Sequence, residues 1–287
     1  MKALRFRLAD EARSAGVPLD SVEKDYLIGY LLAGISSSDV LNASLVLKGG
    51  TALRKVHFRD YRFSEDLDFS AVGAPQEDQL EQEVRAAVAT AARLLEQQGP
   101  FDISVERYLE REPHPHGQEA FALHGRFPWQ RDALCRVKLE VTTDEPVLLP
   151  PERRPLLHGY GEVLQCSISC YALDEIVAEK LRTLLQTHQR LATRGWNRPR
   201  ARDYYDLWRI LRDRSAELRA DVIPGLLRRK TARRQVTWSS LEDFFTPELV
   251  SEARRSWNSS LGPFVATLPE CETVLAELKR MLAPVIG

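Results

Sequence analysis

Asp66 and Asp68 stand two residues apart in Ser64-Glu65-Asp66-Leu67-Asp68-Phe69-Ser70, a stretch in which polar and apolar residues alternate. Period two is the strand period. Residues i and i+2 of a strand project to the same face, so the spacing aims both carboxylates together and sends Leu67 and Phe69 into a core. Adjacent carboxylates repel, and their natural neutraliser is a hard divalent cation, most often Mg2+ (or Mn2+) carrying a phosphate substrate. The strand pattern from Leu134 to Thr142 puts Cys135, Val137, Leu139 and Val141 on one face and Arg136, Lys138, Glu140 and Thr142 on the other. Glu140 is the acid that a neighbouring strand could bring beside Asp66 and Asp68. A carboxylate triad holding one or two metals would position a nucleoside triphosphate (NTP) and activate a hydroxyl for in-line attack on its α-phosphate.

Upstream, Ser44 to Lys48 reads as a strand ending at Gly49-Gly50, with Thr51 as the N-cap of a helix to Phe58. Glycines before a helix start let backbone approach phosphate, and the helix N-terminus offers free N–H donors. Lys48 adds a cation, and Thr51 and Ser64 add hydroxyls. Taken singly, each element has an ordinary reading: Asp-x-Asp is common on surfaces, and Gly-Gly before a helix is more often a turn.

Two further helices carry charge on an apolar stripe. Along Leu173 to Gln189, Lys180 shares a face with Leu173, Ile176, Val177, Leu181 and Leu184; along Ala201 to Arg212, Asp203 shares one with Leu207 and Ile210. A buried lysine needs an anion. Either Lys180 and Asp203 neutralise each other, or Lys180 reaches out to solvent, or each serves a ligand.

The elements that must position these groups fall into two parts. An Asp20-Ser21-Val22-Glu23 capping box opens a helix over Val22 to Ile35, and Gln79 to Gln97 is a second. Strands follow over Phe101 to Leu109, Ala120 to Phe127 and Leu134 to Thr142, with a Pro-containing loop over Glu112 to Gly117. Past Pro150-Pro151 the patterns are helical, with Asp221 to Leu227 and Val274 to Leu282 completing the set. This is an α+β chain: a domain over 1–160 built on a mixed sheet, then a mostly helical domain over 161–287.

Composition excludes other classes. The chain of 287 residues is 44% hydrophobic and 28% charged, which disfavours disorder. It has no apolar run long enough to span a bilayer and no apolar signal core, so a cytoplasmic protein is expected. Four cysteines are too few for a disulfide scaffold. His114, His116 and His124 with Cys135 lack zinc spacing, and Cys166 and Cys170 read as small buried residues. The net charge is -1, but His188 to Arg234 holds 14 Arg/Lys against five acids, so a +9 segment is balanced by -10 elsewhere. Arg194, Arg198, Arg200, Arg202, Arg228, Arg229 and Lys230 are candidate RNA contacts, with Trp196, Tyr204, Tyr205 and Trp208 as stacking surfaces. The plainer reading is a solvated helix face with core aromatics.

Lys48-Gly49-Gly50-Thr51-Ala52-Leu53, followed by Arg62-Phe63-Ser64-Glu65-Asp66-Leu67-Asp68-Phe69, resembles the signature of the AbiEii/AbiGii nucleotidyltransferases. These are the toxins of type IV toxin–antitoxin and phage abortive-infection systems, within the polymerase-β-like superfamily. Glu23-Lys24-Asp25-Tyr26 is similar to the family's N-terminal motif. The 14 residues between Thr51 and Asp66 exceed the superfamily's usual gap and agree with the toxin branch. Lys180, in Asp174-Glu175-Ile176-Val177-Ala178-Glu179-Lys180-Leu181, and Asp203, in Arg202-Asp203-Tyr204-Tyr205-Asp206-Leu207, resemble two later motifs. The resemblance implies that Lys180 contacts nucleotide phosphate and that Asp203, or Asp206 one turn on, takes the acceptor's proton. It also implies transfer of NMP to the 3′ acceptor end of tRNA, blocking aminoacylation, and a cognate antitoxin that binds the toxin, modifies it or acts on its transcription. Ser64 would bond phosphate or serve as a regulatory phosphosite. Rival readings keep the fold with a protein or small-molecule acceptor, or make the chain an inactive RNA- or nucleotide-binding module.

Overall fold

The computed structural model describes residues 3–108, 117–194 and 198–286, apart from the side chains of 192 and 194. The chain divides into two compact units, Met1–Tyr171 and Ala172–Gly287.

In the first unit, α1 (Leu4–Ser14), α2 (Leu19–Ser36) and α3 (Asp39–Ser44) precede β1 (Leu45–Lys48). A short turn of helix, α4 (Gly49–Ala52), runs into a π-helical turn, Leu53–His57, and leads to β2 (Asp66–Ala71). Then come α5 (Glu77–Leu95), β3 (Asp102–Tyr108), β4 (Gln118–Arg126), β5 (Cys135–Thr142), β6 (Glu152–Pro155) and β7 (Ser167–Cys170). The strands form one mixed sheet in the order β3-β4-β5-β2-β1-β7-β6, with β2 at its centre. β2 runs antiparallel to β1 and parallel to β5.

Alternation of residue type decides which face is covered. In β5, Cys135, Val137, Leu139 and Val141 are buried, while Arg136 is exposed and Lys138, Glu140 and Thr142 are half-buried. α2 packs against α5 and β5, and its buried residues include Leu27, Ile28 and Leu31. Most of α2 is buried on every side, so its apolar run is a core run.

Several expected boundaries shift. The capping box is absent: α2 begins at Leu19 after Pro18, which offers no side-chain cap, and Glu23 instead accepts bonds from Trp129 Nε1 and Gln130 Nε2 at 2.9 and 2.8 Å. Thr51 is not an N-cap either, since the helical turn starts at Gly49 and Thr51 lies inside it. The first unit runs past residue 160 because β7 pairs with β1 and belongs to the sheet. The loop expected over 112–116 and the end of β3 at 109 lie outside the described residues.

The second unit is helical: α6 (Leu173–Arg194), α7 (Ala201–Arg214), α8 (Ile223–Arg233), α9 (Pro247–Leu261) and α10 (Cys271–Ile286). Among the described residues no helix is long and apolar enough to cross a membrane.

Candidate active site

Strand register gathers the first unit's acids. Lys48 on β1 faces Asp68 on β2, and Asp68 faces Glu140 on β5, while Asp66 faces Lys138. Because β2 and β5 are parallel and in register, Asp66, Asp68, Lys138 and Glu140 share the face turned away from Leu67 and Leu139. Asp66 is exposed at the strand's start and Asp68 half-buried.

The electrostatics follow from this crowding. Loss of water, then the charges of Glu140 and Asp66, push the Asp68 carboxyl up to about 7, against the pull of Lys48. Burial also raises Glu140, but the bond and charge of Lys138 and a bond from Gln118 hold it below its usual range. Gln118 Nε2 donates to Glu140 Oε1, and Lys138 Nζ bridges the same oxygen. Among the described residues no group of three or more His, Cys, Asp or Glu side chains is arranged to hold a metal ion. Glu140 is hydrogen-bonded to Asp68 as well as to Lys138 and Gln118, so the expected acids stand side by side along the sheet. The donor set fits a hard cation: its groups are carboxylate oxygens, and Asp68 is raised by loss of water and by its negative neighbours, which Lys48 only partly offsets.

The glycine turn lies against this cluster. Gly49 has φ of +71°, and a Cβ there would fall 2.8 Å from Asp68 Oδ2. A Cβ on Gly50 would fall 2.6 Å from Arg62 Nη2 and 3.0 Å from Ser64 Oγ. Backbone and carboxylate are therefore as close as the two glycines allow. Thr51 Oγ1 is bonded to Ser64 Oγ at 2.9 Å and to the Asp66 carbonyl, which ties the turn to the strand. Lys48 is buried, and its Nζ reaches Thr142 Oγ1 at 3.4 Å. Arg62 and Gln118 join the neighbourhood without having been singled out from the sequence. Arg62 sits inside the Arg-Phe-Ser-Glu-Asp run, where its proximity to Asp66 was the available signal.

Asp25 has a supporting place. Lys55 Nζ lies 2.6 Å from its Oδ2, Arg54 Nε 3.5 Å from its Oδ1, and the Tyr160 hydroxyl donates at 2.7 Å. Burial works against the charge, yet Lys55 and Arg54 hold Asp25 down at about 2. This lock fastens the π-helical turn to α2.

In the second unit, Lys180 Nζ lies 2.9 Å from Asp203 Oδ1 and 2.7 Å from Asp206 Oδ2. The mutual neutralisation of Lys180 and Asp203 is therefore present, and Asp206 joins it. The Asp206 side chain is 0% exposed, whereas Asp203 keeps some exposure and also meets Arg200 at 3.5 Å.

The basic segment is less of a surface than its charge implies. Lys230 is 0% exposed, between Glu175 at 2.9 Å and Glu179 at 3.5 Å, so it is a core ion pair and not an RNA contact. Arg202 donates to the Ser260 carbonyl at 2.9 Å and lies over the Phe264 ring, and Arg200 donates to Thr187 at 2.9 Å. Tyr204, Tyr205 and Trp208 are buried, which removes them as stacking surfaces. Arg198, Arg228 and Arg229 are exposed. Arg194's side chain, Trp196, His114 and His116 lie outside the described residues. His124 lies 3.9 Å from Glu106, and the four cysteines are free, Cys166 only half-buried.

The family model for AbiEii, the nucleotidyl transferase toxin of type IV toxin–antitoxin systems, matches residues 30–279. This chain belongs to the AbiEii family. It is accordingly a nucleotidyltransferase toxin of a type IV toxin–antitoxin system, a class that works on an NTP and implies an antitoxin partner. No curated protein sequence matches it. Among solved structures it is similar to MenT4, a nucleotidyltransferase toxin from Mycobacterium tuberculosis H37Rv, at 21% identity and a TM-score of 0.65 over 98% of this chain and 89% of that one. At that identity the likeness shows the fold alone, in this chain a mixed seven-stranded sheet with helices.

Proposed function

We propose that the protein transfers NMP from an NTP to the 3′ hydroxyl of tRNA in the cytoplasm, blocks aminoacylation, and is held in check by a cognate antitoxin. The observation that carries this reading is the in-register row of Asp66, Asp68 and Glu140 on an open sheet face, pressed against the Gly49-Gly50 turn. Asp66 and Asp68, with Glu140, would hold Mg2+ or Mn2+, which when bound supplies charge neutralisation at the α-phosphate. Lys48, Gly49, Gly50, Thr51 and Ser64 would line the triphosphate, and Lys180 would take part of its charge. The acceptor oxygen attacks the α-phosphorus, pyrophosphate leaves, and the acceptor's proton passes to a carboxylate. Asp203 suits that role better than Asp206, since Asp206 is fully enclosed and serves to fix Lys180. The exposed Arg198, Arg228 and Arg229 are the remaining candidates for tRNA phosphate contacts.

The test is direct. Purified protein incubated with Mg2+, each labelled NTP in turn and total tRNA should label tRNA, and Asp66→Ala should not. Folded, monodisperse protein that labels no RNA with any NTP would overturn the reading.

A further inference from the structure

The open sheet face continues beyond the carboxylates. Register sets Asp68, Glu140, Ala120 and Tyr108 side by side across β2, β5, β4 and β3, with Asp66, Lys138, Ala122 and Glu106 in the next row. Tyr108 is on the rim strand, yet 38% of its surface is open. Its ring centroid is 5.5 Å from Lys138 Nζ and 6.0 Å from the guanidinium carbon of Arg136. Lys138 in turn bridges Glu140, which is hydrogen-bonded to Asp68. An aromatic ring, two cations and the acid row are therefore contiguous. Between ring and acids stand Ala120 and Ala122, both buried, so the ring and the Lys138 side chain meet over them and form the surface there. Diagonal packing across strands accounts for the contact between Tyr108 and Lys138. It gives no reason for an open aromatic face or for an exposed Arg136 beside it.

We propose that this strip receives the single-stranded 3′ end of the acceptor RNA. The inference rests on the transfer reading above and names where its acceptor lies. Tyr108 offers the stacking surface for a base near the terminus, and the exposed Arg136 and half-buried Lys138 offer phosphate contacts along the strand's path. An open aromatic ring flanked by cations is the combination that holds single-stranded nucleic acid without reading its sequence. Three inter-strand steps of about 4.8 Å set the backbones of Tyr108 and Asp68 roughly 14 Å apart, a span of a few stacked bases at about 3.4 Å each.

Steady-state transfer by the full chain separates this from its rivals. Tyr108→Ala should raise the KM for tRNA roughly five- to a hundredfold, the range for one base stacked on an aromatic ring, with the KM for NTP unchanged. Tyr108→Phe should restore it, and Arg136→Ala should raise the same KM and flatten its salt dependence. Unchanged tRNA kinetics in both Tyr108→Ala and Arg136→Ala overturn the proposal. A raised KM for NTP in place of tRNA overturns it too, by assigning the ring to the incoming nucleotide. Anisotropy of a labelled single-stranded RNA with a free 3′ hydroxyl decides the strip even without turnover. Binding lost in Tyr108→Ala supports it, and equal binding sinks it, whereas absent labelling of any RNA counts against the transfer reading alone.

Discussion

In the first unit three carboxylates share one sheet face, and loss of water together with the charges of Glu140 and Asp66 pushes Asp68 up to about 7 against the pull of Lys48. In the second, Lys180 and Arg200 meet Asp203 and Asp206, and Lys230 and Arg182 meet Glu175 and Glu179, two cations to two acids in each case. Both clusters bring charge out of water, but only the second closes its own circuit. An ion pair completed inside the fold supports structure; a surplus of one sign on an open face is complete only with a ligand. The contrast therefore sets the acid row, which the proposed function gives to a ligand, against Lys230 and Asp206, which hold the fold.

The comparison can be broken by substitution. Asp68→Asn should reduce NMP transfer by about a thousandfold or more while leaving the fold intact, since it removes charge where charge is in excess. The pH dependence gives the sign. A carboxyl raised from 3.8 to about 7 on folding favours the folded state below 3.8 and loses that contribution as pH rises through about 7. Asp68→Asn should flatten the fall in stability across that window, as measured by thermal melts from pH 4 to pH 8; an unchanged slope would mean that the acids are not crowded in solution.

Lys230→Met should do the opposite, lowering stability by about 3–5 kcal/mol in chemical denaturation, because the buried Glu175 carboxylate loses its lysine. Asp206→Asn should be milder, about 1–3 kcal/mol, since Lys180 keeps Asp203, with the KM for NTP raised through a less fixed lysine. The smallest effect is expected of Arg228→Ala with Arg229→Ala: a few-fold rise in the KM for tRNA that shrinks in high salt, with no change in melting temperature. A loss of stability there would mean that these exposed arginines are structural after all.

The carboxylates were legible because a strand's period fixes the face each residue takes. Alternation in Asp66 to Ser70 and in Cys135 to Thr142 was enough to name Glu140 as the acid a neighbouring strand could bring beside Asp68; the parallel pairing of β2 with β5 is supplied by the fold. The stripes of α6 and α7 likewise located Lys180 and Asp203. What did not show was burial. Charge counting cannot tell Arg229, which is exposed, from Lys230, its neighbour in sequence, because only the fold supplies Glu175 and Glu179. β6 and β7, four residues each and rich in Arg, Ser and Pro, carry no apolar alternation; partners in the sheet define them. α9 has Thr246 accepting from Leu249 N and Pro247 in its first turn, a start signal that was present and not read.

The sheet order has a consequence for how such a protein is made. β1 and β2 leave the ribosome close together, but β5 is synthesised only after α5, β3 and β4, and it must then slot in parallel beside β2. Until it does, Asp66 and Asp68 have no Glu140 beside them and no completed face. The acid row that the proposed function needs is thus assembled only after about half of the chain has been made.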